Sequence, residues 1–374
     1  MNDPSIGIFL GTIGSQAGGM ETYEKALLSE LGAIRRSRPL EVFCLQRRGC
    51  HLSLPQSESL RYHSVGWPFR PIGVALGINL AMYRTKVDML HATYVPPLYC
   101  PVPMAFTLHS SVTWVHREFF PSDILRRLNW LQEHGIRKAG MILCVSQHVR
   151  DFAVEYFKIP ADQTMVVPHG VGPEFHPRDR AETAAILKQR YGIRGRYMFF
   201  SGKLKENKNI RRVLHSFRTL REKTGDDIQL VVAGRRLWTK GEIDELMNES
   251  VQRGETLELG HIPIDDMPLL YCGAEALVFP SLWEGFGLPI LEAQSSGIPV
   301  ITSSLSAMPE VSGGHAIHID PYNEEELTDA MTRVLADSAL RDRLITGGLQ
   351  NAKRYTWQEA ARLTWSGYEK LLGH

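Results

Sequence analysis

Short apolar runs alternate along this chain with longer stretches in which apolar residues recur every three or four positions. The runs predict buried β-strands, and the recurring positions predict helices with one buried face. Residues 6–10 (IGIFL) predict a first strand, and Met20, Tyr23, Leu27 and Leu31 predict the buried face of the helix that follows. The order strand, loop, helix is typical of doubly wound α/β domains.

The same alternation continues through the rest of the 374 residues. Further apolar runs predict strands at 87–92, 104–108, 141–145, 197–201, 229–233, 257–260, 276–279 and 298–302. A chain of this length is long for one core and suits two domains. Because residues 173–180 carry proline and charge without periodicity, we place the linker there. The prediction is a first domain at 1–176, a second at 177–355 and a final helix within 356–374.

The first loop, at 11–19, is rich in glycine. It lacks the Gly-Lys-Ser/Thr sequence of nucleotide P-loops, and the spacing of Gly14, Gly18 and Gly19 does not fit the dinucleotide fingerprint. Backbone N–H groups at a helix start can still cradle an anion. A tight connection between strand and helix is the alternative, and the spacing leaves both interpretations open.

Two carboxylates stand eight positions apart in the segment 281–292 (SLWEGFGLPILE). A predicted strand ends just before this segment, and Pro289 suits the start of a helix. Glu284 is therefore expected on a strand-to-helix loop, and Glu292 in about the first turn of the helix. Both are expected at the carboxyl end of a parallel sheet, where open α/β folds bind ligands.

The chemistry of this loop favours a ligand with several hydroxyls. Gly285 and Gly287 allow close approach to the backbone, and a helix start offers N–H groups with a partial positive charge. Carboxylates accept hydrogen bonds from paired hydroxyls, so the pattern predicts a site for sugar or ribose hydroxyls. For Glu292 alone, simple complementation of the helix dipole is the alternative.

Several lysines follow the first strand of the second domain. Gly202, Lys203, Lys205 and Lys208 precede a helix for which Asn209 is the predicted N-cap. A glycine, cations and a helix start together are typical of a phosphate site. Solvated lysines on an exposed loop are the alternative.

The segment 281–292 resembles the Glu-x7-Glu motif of retaining glycosyltransferases with the GT-B fold, in the sucrose-synthase-like and mannosyltransferase-like family (glycosyltransferase family 4). Residues 293–300 (AQSSGIPV), 309–311 (PEV) and 319–321 (IDP) are also similar to that family. The resemblance covers most of the chain and is densest at 199–321. It implies two doubly wound Rossmann-like α/β domains that face each other across a cleft, with the last helix packed back on the first domain.

The resemblance also implies an activity. Members of this family transfer a hexose from a nucleotide sugar to a glycan or lipid-linked acceptor and retain the anomeric configuration. GDP-mannose is the favoured donor here, and UDP-sugars remain open. We expect neither a metal nor a further cofactor, since the chain contains no Asp-x-Asp sequence of the metal-using kind.

Site residues follow from the resemblance, position by position. Catalytic roles are implied for His109 near the anomeric carbon, for Lys203 and Lys208 on the leaving diphosphate, and for Glu284 on the hydroxyls of the donor sugar. Glu292 is implied to hold the ribose hydroxyls. The residues implied to contact the donor are Gly14, Gly18, Gly19, Gly202, Lys203, Lys208, Gly285, Phe286, Gly287, Leu288 and Glu292.

Three departures from the family pattern bear on these roles. The family has an aspartate directly after its histidine, whereas this chain has Ser110 after His109. Lys203 stands where the family usually has arginine, and lysine forgoes a bidentate contact with phosphate. His169 replaces the asparagine of a family turn, and we interpret it as a turn residue without a catalytic role.

Composition limits the partners and the location. A net charge of +1 gives no reason to expect nucleic acid, and the five cysteines lack the spacing of a metal site. The chain start lacks the pattern of a signal peptide, and no apolar run approaches the length of a membrane span. We therefore expect a cytoplasmic protein with reduced thiols.

A predicted helix at 117–138 is both basic and aromatic, with Phe119, Phe120 and Trp130. Such a helix can lie on a membrane surface, so peripheral contact at the inner membrane face stays open. An ordinary helix with one face in the core is the alternative.

Two other functions remain as alternatives. A nucleotide-sugar epimerase shares the two-domain architecture but is not expected to carry the loop with Glu284 and Glu292. A non-catalytic subunit that binds a nucleotide sugar or serves as a scaffold would suit the missing aspartate after His109.

Overall fold

The computed structural model describes residues 3–14, 18–34, 36–45, 54–65, 70–237 and 241–373. The strands are β1 (Ile6–Leu10), β2 (Leu40–Leu45), β3 (Leu60–Val65), β4 (Met89–Ala92), β5 (Met104–Leu108), β6 (Met141–Cys144), β7 (Thr164–Val166), β8 (Tyr197–Ser201), β9 (Gln229–Ala233), β10 (Thr256–Gly260), β11 (Ala276–Phe279), β12 (Val300–Ser303) and β13 (Ile317–Ile319).

Helices connect most of these strands. They are α1 (Gly19–Ala33), α2 (Arg70–Thr85), α3 (Val112–Val115), α4 (Ser122–Lys138), α5 (Gln147–Phe157), α6 (Arg180–Tyr191), α7 (Ile210–Thr224), α8 (Glu242–Gln252), α9 (Met267–Gly273), α10 (Leu288–Ser295), α11 (Met308–Ser312), α12 (Glu324–Ala336), α13 (Ser338–Ala352) and α14 (Trp357–Leu372).

The chain divides into two compact units. The first comprises Met1–Gly170 and Thr356–His374, and the second comprises Val171–Tyr355. Residues 171–176, placed in the first domain by the sequence, belong to the second unit. The reason is local bonding: the Val171 N–H donates to the Tyr355 carbonyl oxygen at 3.1 Å, within the second unit.

Each unit contains one parallel sheet with helices packed against it. In the first unit the strand order is β3-β2-β1-β4-β5-β6-β7, and in the second it is β10-β9-β8-β11-β12-β13. All paired strands run parallel, from β1 with β2 through to β12 with β13. The predicted α/β class with two doubly wound, Rossmann-like domains is confirmed.

The strand order reverses once in each sheet, between β1 and β4 and between β8 and β11. At such a reversal the two connections leave in opposite directions, and a crevice opens at the carboxyl ends of the two strands. The glycine-rich loop after β1 lies at the first reversal. The lysine loop after β8 and the Glu284 loop after β11 both lie at the second.

The last helix, α14, belongs to the first unit and packs against α1, β5 and β6. Thr356 caps it, since its hydroxyl accepts from the Glu359 N–H at 3.1 Å. Tyr368 is buried, and its hydroxyl lies 2.7 Å from Nδ1 of His91 in β4. A helix that is distant in sequence is thus fixed to the sheet of the first unit.

The structure corrects some local predictions. The single helix expected at 117–138 is interrupted: Arg117–Phe119 form one 3₁₀ turn, and α4 begins after Pro121. Proline removes a backbone donor and ends helical pairing there. Asn209 precedes α7 but does not cap it with its side chain, because its backbone is left-handed, with φ at +62°.

Among the helices within the described part of the chain, none is long and apolar enough to cross a membrane.

Gly234, directly after β9, allows the loops after β9 and β8 to cross. Its φ is +153°, and a Cβ there would lie 1.9 Å from the Gly202 carbonyl oxygen.

We expect Gly234→Ala to lower the free energy of unfolding by more than about 3 kcal/mol, since strain and a backbone clash add. Gly254→Ala is the matched control: φ is +71° and nothing lies within 4 Å of its Cβ, so about 1 kcal/mol is expected. Equal losses of unfolding free energy in the two variants, measured by chemical denaturation, would contradict the close contact between Gly234 and Gly202.

Candidate active site

An ion pair joins the two loops that meet in the second unit. Lys208 Nζ lies 2.5 Å from Glu284 Oε1, and both side chains are less than a fifth exposed. The same ammonium lies 4.9 Å from the ring centroid of Phe279, the last residue of β11. The structure therefore brings together a lysine and a glutamate that are 76 residues apart in the sequence.

Three lysines share this end of the sheet. Burial, together with repulsion from Lys208 and Lys203, lowers the pKa of Lys205 to about 8, while Glu284 opposes the shift. Only a close cluster of cations produces such mutual effects. Gly202 lies against the cluster, since a Cβ on it would be 3.7 Å from Lys208 Cε. The cluster suits an anion with several negative oxygens.

The loop after β11 turns into α10 through Gly287, whose φ is +111°. Leu288 and Pro289 are the first two residues of the helix, so the predicted proline position is off by one. Phe286 is buried and packs edge-on against Tyr355 at 5.9 Å. The Ile290 N–H donates to the Gly287 carbonyl oxygen at 2.9 Å, so the start of α10 follows directly on the loop that carries Glu284.

Glu292 lies in the second turn of α10. Tyr271 of α9, itself buried, donates its hydroxyl to Glu292 Oε2 at 2.6 Å. Burial, with a smaller contribution from the charge of Glu174, raises the pKa of Glu292 to about 7, while the Tyr271 hydrogen bond opposes the shift. The hydrogen bond from Tyr271 thus fixes the position of the carboxyl group, and with a pKa of about 7 both its protonated and its ionised forms are populated near neutral pH.

Asn209 in a role that differs from the predicted N-cap, and Tyr271 and Ser306, which the sequence did not predict, support the two loops. Asn209 donates through Nδ2 to the carbonyl oxygens of Pro280 at 3.1 Å and Pro321 at 2.6 Å. The Glu284 N–H donates to Ser306 Oγ at 3.0 Å. Neither Tyr271 nor Ser306 has a signal in the spacing of the sequence.

In the first unit, His109 follows β5 directly, as predicted. Its Nε2 lies 2.8 Å from the Thr93 carbonyl oxygen, at the end of the neighbouring β4. Burial lowers the pKa of His109 to about 4, although the Thr93 hydrogen bond opposes the shift. The imidazole is therefore neutral at neutral pH.

His109 lies within an aromatic cluster. The ring of Tyr23 lies edge-on to His109 at 4.7 Å and 4.9 Å from that of His169. His169 is also stacked on Trp357 at 5.7 Å. The residue that we interpreted as a turn residue is thus a buried neighbour of His109, and burial holds its pKa well below the ordinary value.

The three predicted loop glycines also lie in the first unit. Gly14 has φ at +75°, and its N–H donates to Glu21 Oε1 at 3.3 Å. Gly18, with φ at +72°, precedes α1, and Gly19 is the first residue of that helix. Residues 15–17 of the loop lie outside the described residues. The described residue Gly14 thus follows β1 at the strand reversal, and Gly18 and Gly19 lie at the start of α1.

Across the ranges that the structure describes, no group of three or more His, Cys, Asp and Glu side chains could hold a metal ion.

Comparison with known proteins assigns the two units. Residues 17–175 match Glycosyltransferase Family 4, and residues 186–351 match the glycosyl transferases group 1 family. The O-antigen chain mannosyltransferase B of Escherichia coli is 30% identical over 266 residues, which are 71% of this chain and 70% of that protein. The serotype-specific mannosyltransferase WbdA of the same organism is 28% identical over 284 residues, 74% of this chain but 35% of that protein.

A solved structure supports the fold. Sucrose-phosphate synthase from Thermosynechococcus elongatus superposes with a TM-score of 0.82 at 17% identity, over 99% of this chain and 100% of that one. Two parallel-sheet, Rossmann-like units of this kind make up the GT-B fold. The chain belongs to glycosyltransferase family 4, and it is a hexose-transferring enzyme of that family.

The raised pKa of Glu292 predicts a pH-dependent stability. Between pH 4.5 and about 7 the folded protein holds a proton that the unfolded chain releases, so the carboxyl destabilises the fold as pH rises through this window. We expect Glu292→Gln to raise the free energy of unfolding at pH 8 by on the order of 1–3 kcal/mol, and the gain to vanish towards pH 5. Chemical denaturation at both pH values measures this.

The exposed Glu222 on α7 provides the control. Glu222→Gln is expected to change stability little and equally at both pH values. A Glu292→Gln variant that is less stable than the parent at pH 8 would contradict the burial argument.

Proposed function

We propose that this enzyme is a mannosyltransferase that moves a mannosyl group from GDP-mannose to a glycan or lipid-linked acceptor, with retention at the anomeric carbon. The matched Escherichia coli relatives are named as mannosyltransferases, which supports the sugar. UDP-sugars are the second donor candidates, since the Glu284 to Glu292 segment resembles the one in users of UDP-sugars as well. No metal or further cofactor is part of the proposal.

One observation carries the proposal: Lys203, Lys205 and Lys208 lie with Glu284 at the reversal of the second sheet. In the proposed complex the diphosphate binds the lysines and the start of α7. The hydroxyls of the sugar bind Glu284 and the backbone from Gly285 to Leu288. Glu292 accepts hydrogen bonds from the ribose hydroxyls.

The proposed reaction breaks the bond between the anomeric carbon and a diphosphate oxygen. A hydroxyl oxygen of the acceptor forms the new bond to that carbon, and its proton passes to the departing diphosphate. The lysines stabilise the negative charge that develops on the leaving group, which is an electrostatic role. His109, neutral and half-buried, contacts the sugar as a hydrogen-bonding group. The visible glycines of the first loop, Gly14, Gly18 and Gly19, are proposed to approach the donor or the acceptor.

The donor is tested by thermal unfolding with GDP, GDP-mannose, UDP and UDP-glucose. A ligand at about 100 times its Kd stabilises the folded state by about 2.7 kcal/mol, so the midpoint rises. We expect a rise with GDP and GDP-mannose that is lost in Lys208→Ala. Lys223→Ala, at the exposed end of α7, is the matched control and should retain it.

A rise of the midpoint with UDP and UDP-glucose alone would show that the donor is a UDP-sugar and not GDP-mannose, and the proposed glycosyl transfer would still stand. No rise with any of the four would overturn the donor site. The anomeric configuration of a transferred mannosyl group, read by NMR of the product, decides between retention and inversion.

A lipid-linked acceptor would be reached at a membrane surface, and α4 offers a basic and aromatic face for this. Trp130 is 59% exposed, and Arg126 and Arg127 beside it are exposed. Phe119, in contrast, is only half-exposed and stacks on His116 at 4.9 Å. Trp130 is therefore the better membrane anchor than the two phenylalanines.

We expect the protein to cosediment with vesicles that contain phosphatidylglycerol, and Arg126→Gln with Arg127→Gln to weaken binding about tenfold or more, at about 1 kcal/mol per arginine. Trp130→Ala should weaken it as well. Tyr156→Ala, an aromatic 55% exposed on α5, serves as the control and should leave binding unchanged. Equal binding to neutral and anionic vesicles would contradict an electrostatic contribution of Arg126 and Arg127 to membrane binding.

A further inference from the structure

Glu24 of α1 carries a carboxylate that is almost fully buried. Its side chain is 1% exposed, and burial raises its pKa. Oε1 accepts from the Gly11 N–H at 2.8 Å, and Oε2 accepts from the Thr12 N–H at 3.0 Å and the Thr12 hydroxyl at 2.7 Å. A buried carboxylate is costly without such donors, so this one holds the start of the glycine-rich loop tightly.

The same carboxylate reaches the end of β4. The Thr93 hydroxyl lies 2.5 Å from Glu24 Oε1 and 2.9 Å from the Phe9 carbonyl oxygen, and one of these two oxygens accepts its single proton. The Thr93 N–H also donates to Phe9, at 3.1 Å. Thr93 is thus fixed from its side chain and from its backbone.

Thr93 in turn sets the state of His109. A carbonyl oxygen only accepts hydrogen bonds, so the 2.8 Å contact requires that Nε2 of His109 carries the proton. Nδ1 is then the unprotonated nitrogen. It is buried and has no hydrogen-bond partner within the part of the chain described, so it is an acceptor without a donor.

The residue after His109 does not supply this control. Ser110 Oγ accepts from the Val112 N–H at 3.2 Å and so belongs to the start of α3. Glu24 nevertheless provides a carboxylate that is linked to the imidazole of His109 through Thr93.

We propose that Glu24 is a positioning residue for the transfer reaction: through Thr93 it fixes the Nε2–H tautomer and the orientation of His109, so that Nδ1 accepts a hydrogen bond from a substrate hydroxyl. The inference rests on the role proposed for His109. In this proposal the buried carboxylate of Glu24 fixes both the position of the loop at Gly11 and Thr12 and the orientation of the His109 imidazole.

The test compares Thr93→Val, which removes the hydroxyl, with Thr93→Ser, which keeps it. In protein labelled with ¹⁵N-histidine, two-bond ¹H–¹⁵N correlations report the tautomer, and His109→Ala identifies the signal. We expect Thr93→Val to give mixed tautomers at His109 and to lower kcat about 10- to 100-fold, with KM for the donor unchanged. Thr93→Ser should restore the tautomer and kcat.

Thr164→Val in β7 is the matched control, because it also removes a buried hydroxyl, one that donates to the Ala161 carbonyl oxygen at 2.8 Å. It should leave the His109 signal and kcat unchanged. Glu24→Gln should lower kcat more than Thr93→Val, since its amide N–H groups face the donors of Gly11 and Thr12. If Glu24→Gln does not fold, the comparison of Thr93→Val with Thr93→Ser by itself tests the positioning role.

A single tautomer and an unchanged kcat in Thr93→Val, together with lost transfer in His109→Ala, would overturn the positioning role and leave the proposed function intact. Full transfer by His109→Ala would instead overturn the role of His109, and the positioning role with it. The tautomer is read without substrate, so it tests the link from Thr93 to His109 even if the acceptor is wrongly chosen.

Discussion

The salt bridge between Lys208 and Glu284 is the interaction on which the proposed donor site depends. It closes the gap between the loops after β8 and β11, and both side chains are largely shielded from water. Removing one partner of a shielded pair leaves a charge without compensation, which is strongly unfavourable. A ligand that enters between them must therefore satisfy both groups.

This constraint has a consequence for selectivity. A phosphate oxygen can replace Glu284 as the partner of Lys208, and a sugar hydroxyl can replace Lys208 as the partner of Glu284. A free nucleotide offers only the first of these, whereas a nucleotide sugar offers both. In the proposed complex, the pair therefore favours the complete donor over the released nucleotide.

Buried carboxylates organise both units, but in different ways. Glu24 accepts hydrogen bonds from backbone and hydroxyl donors and holds a loop and a strand end together. Glu292 has one strong partner, Tyr271, and its raised pKa means that its ionised form is held at a cost to stability. A group kept in such an environment fits binding rather than stability, as is common at functional sites.

The sequence determined the local structure where the local signal is strong. Buried apolar runs such as 6–10 and 104–108 and the strand-loop-helix segment before Glu292 were predicted correctly, because full burial demands apolar residues. Strands β7 and β13, of three residues each, and the partly exposed β3 were not predicted, because short or half-exposed strands carry little periodicity. The buried β2 was not predicted either, because Glu41 interrupts its apolar run. The family and the candidate residues of the donor site were also legible from the sequence.

Only the tertiary structure decided which of those residues meet. Three contacts join residues that lie on different helices, strands and loops. They are the ion pair of Lys208 with Glu284, the support of Glu292 by Tyr271 and the link from Glu24 through Thr93 to His109. Burial then set the protonation of His109 and Glu292, which spacing cannot reveal. Hydrogen bonding and desolvation act over a few ångströms in space, so the sequence named the chemical groups and the fold gave them their partners.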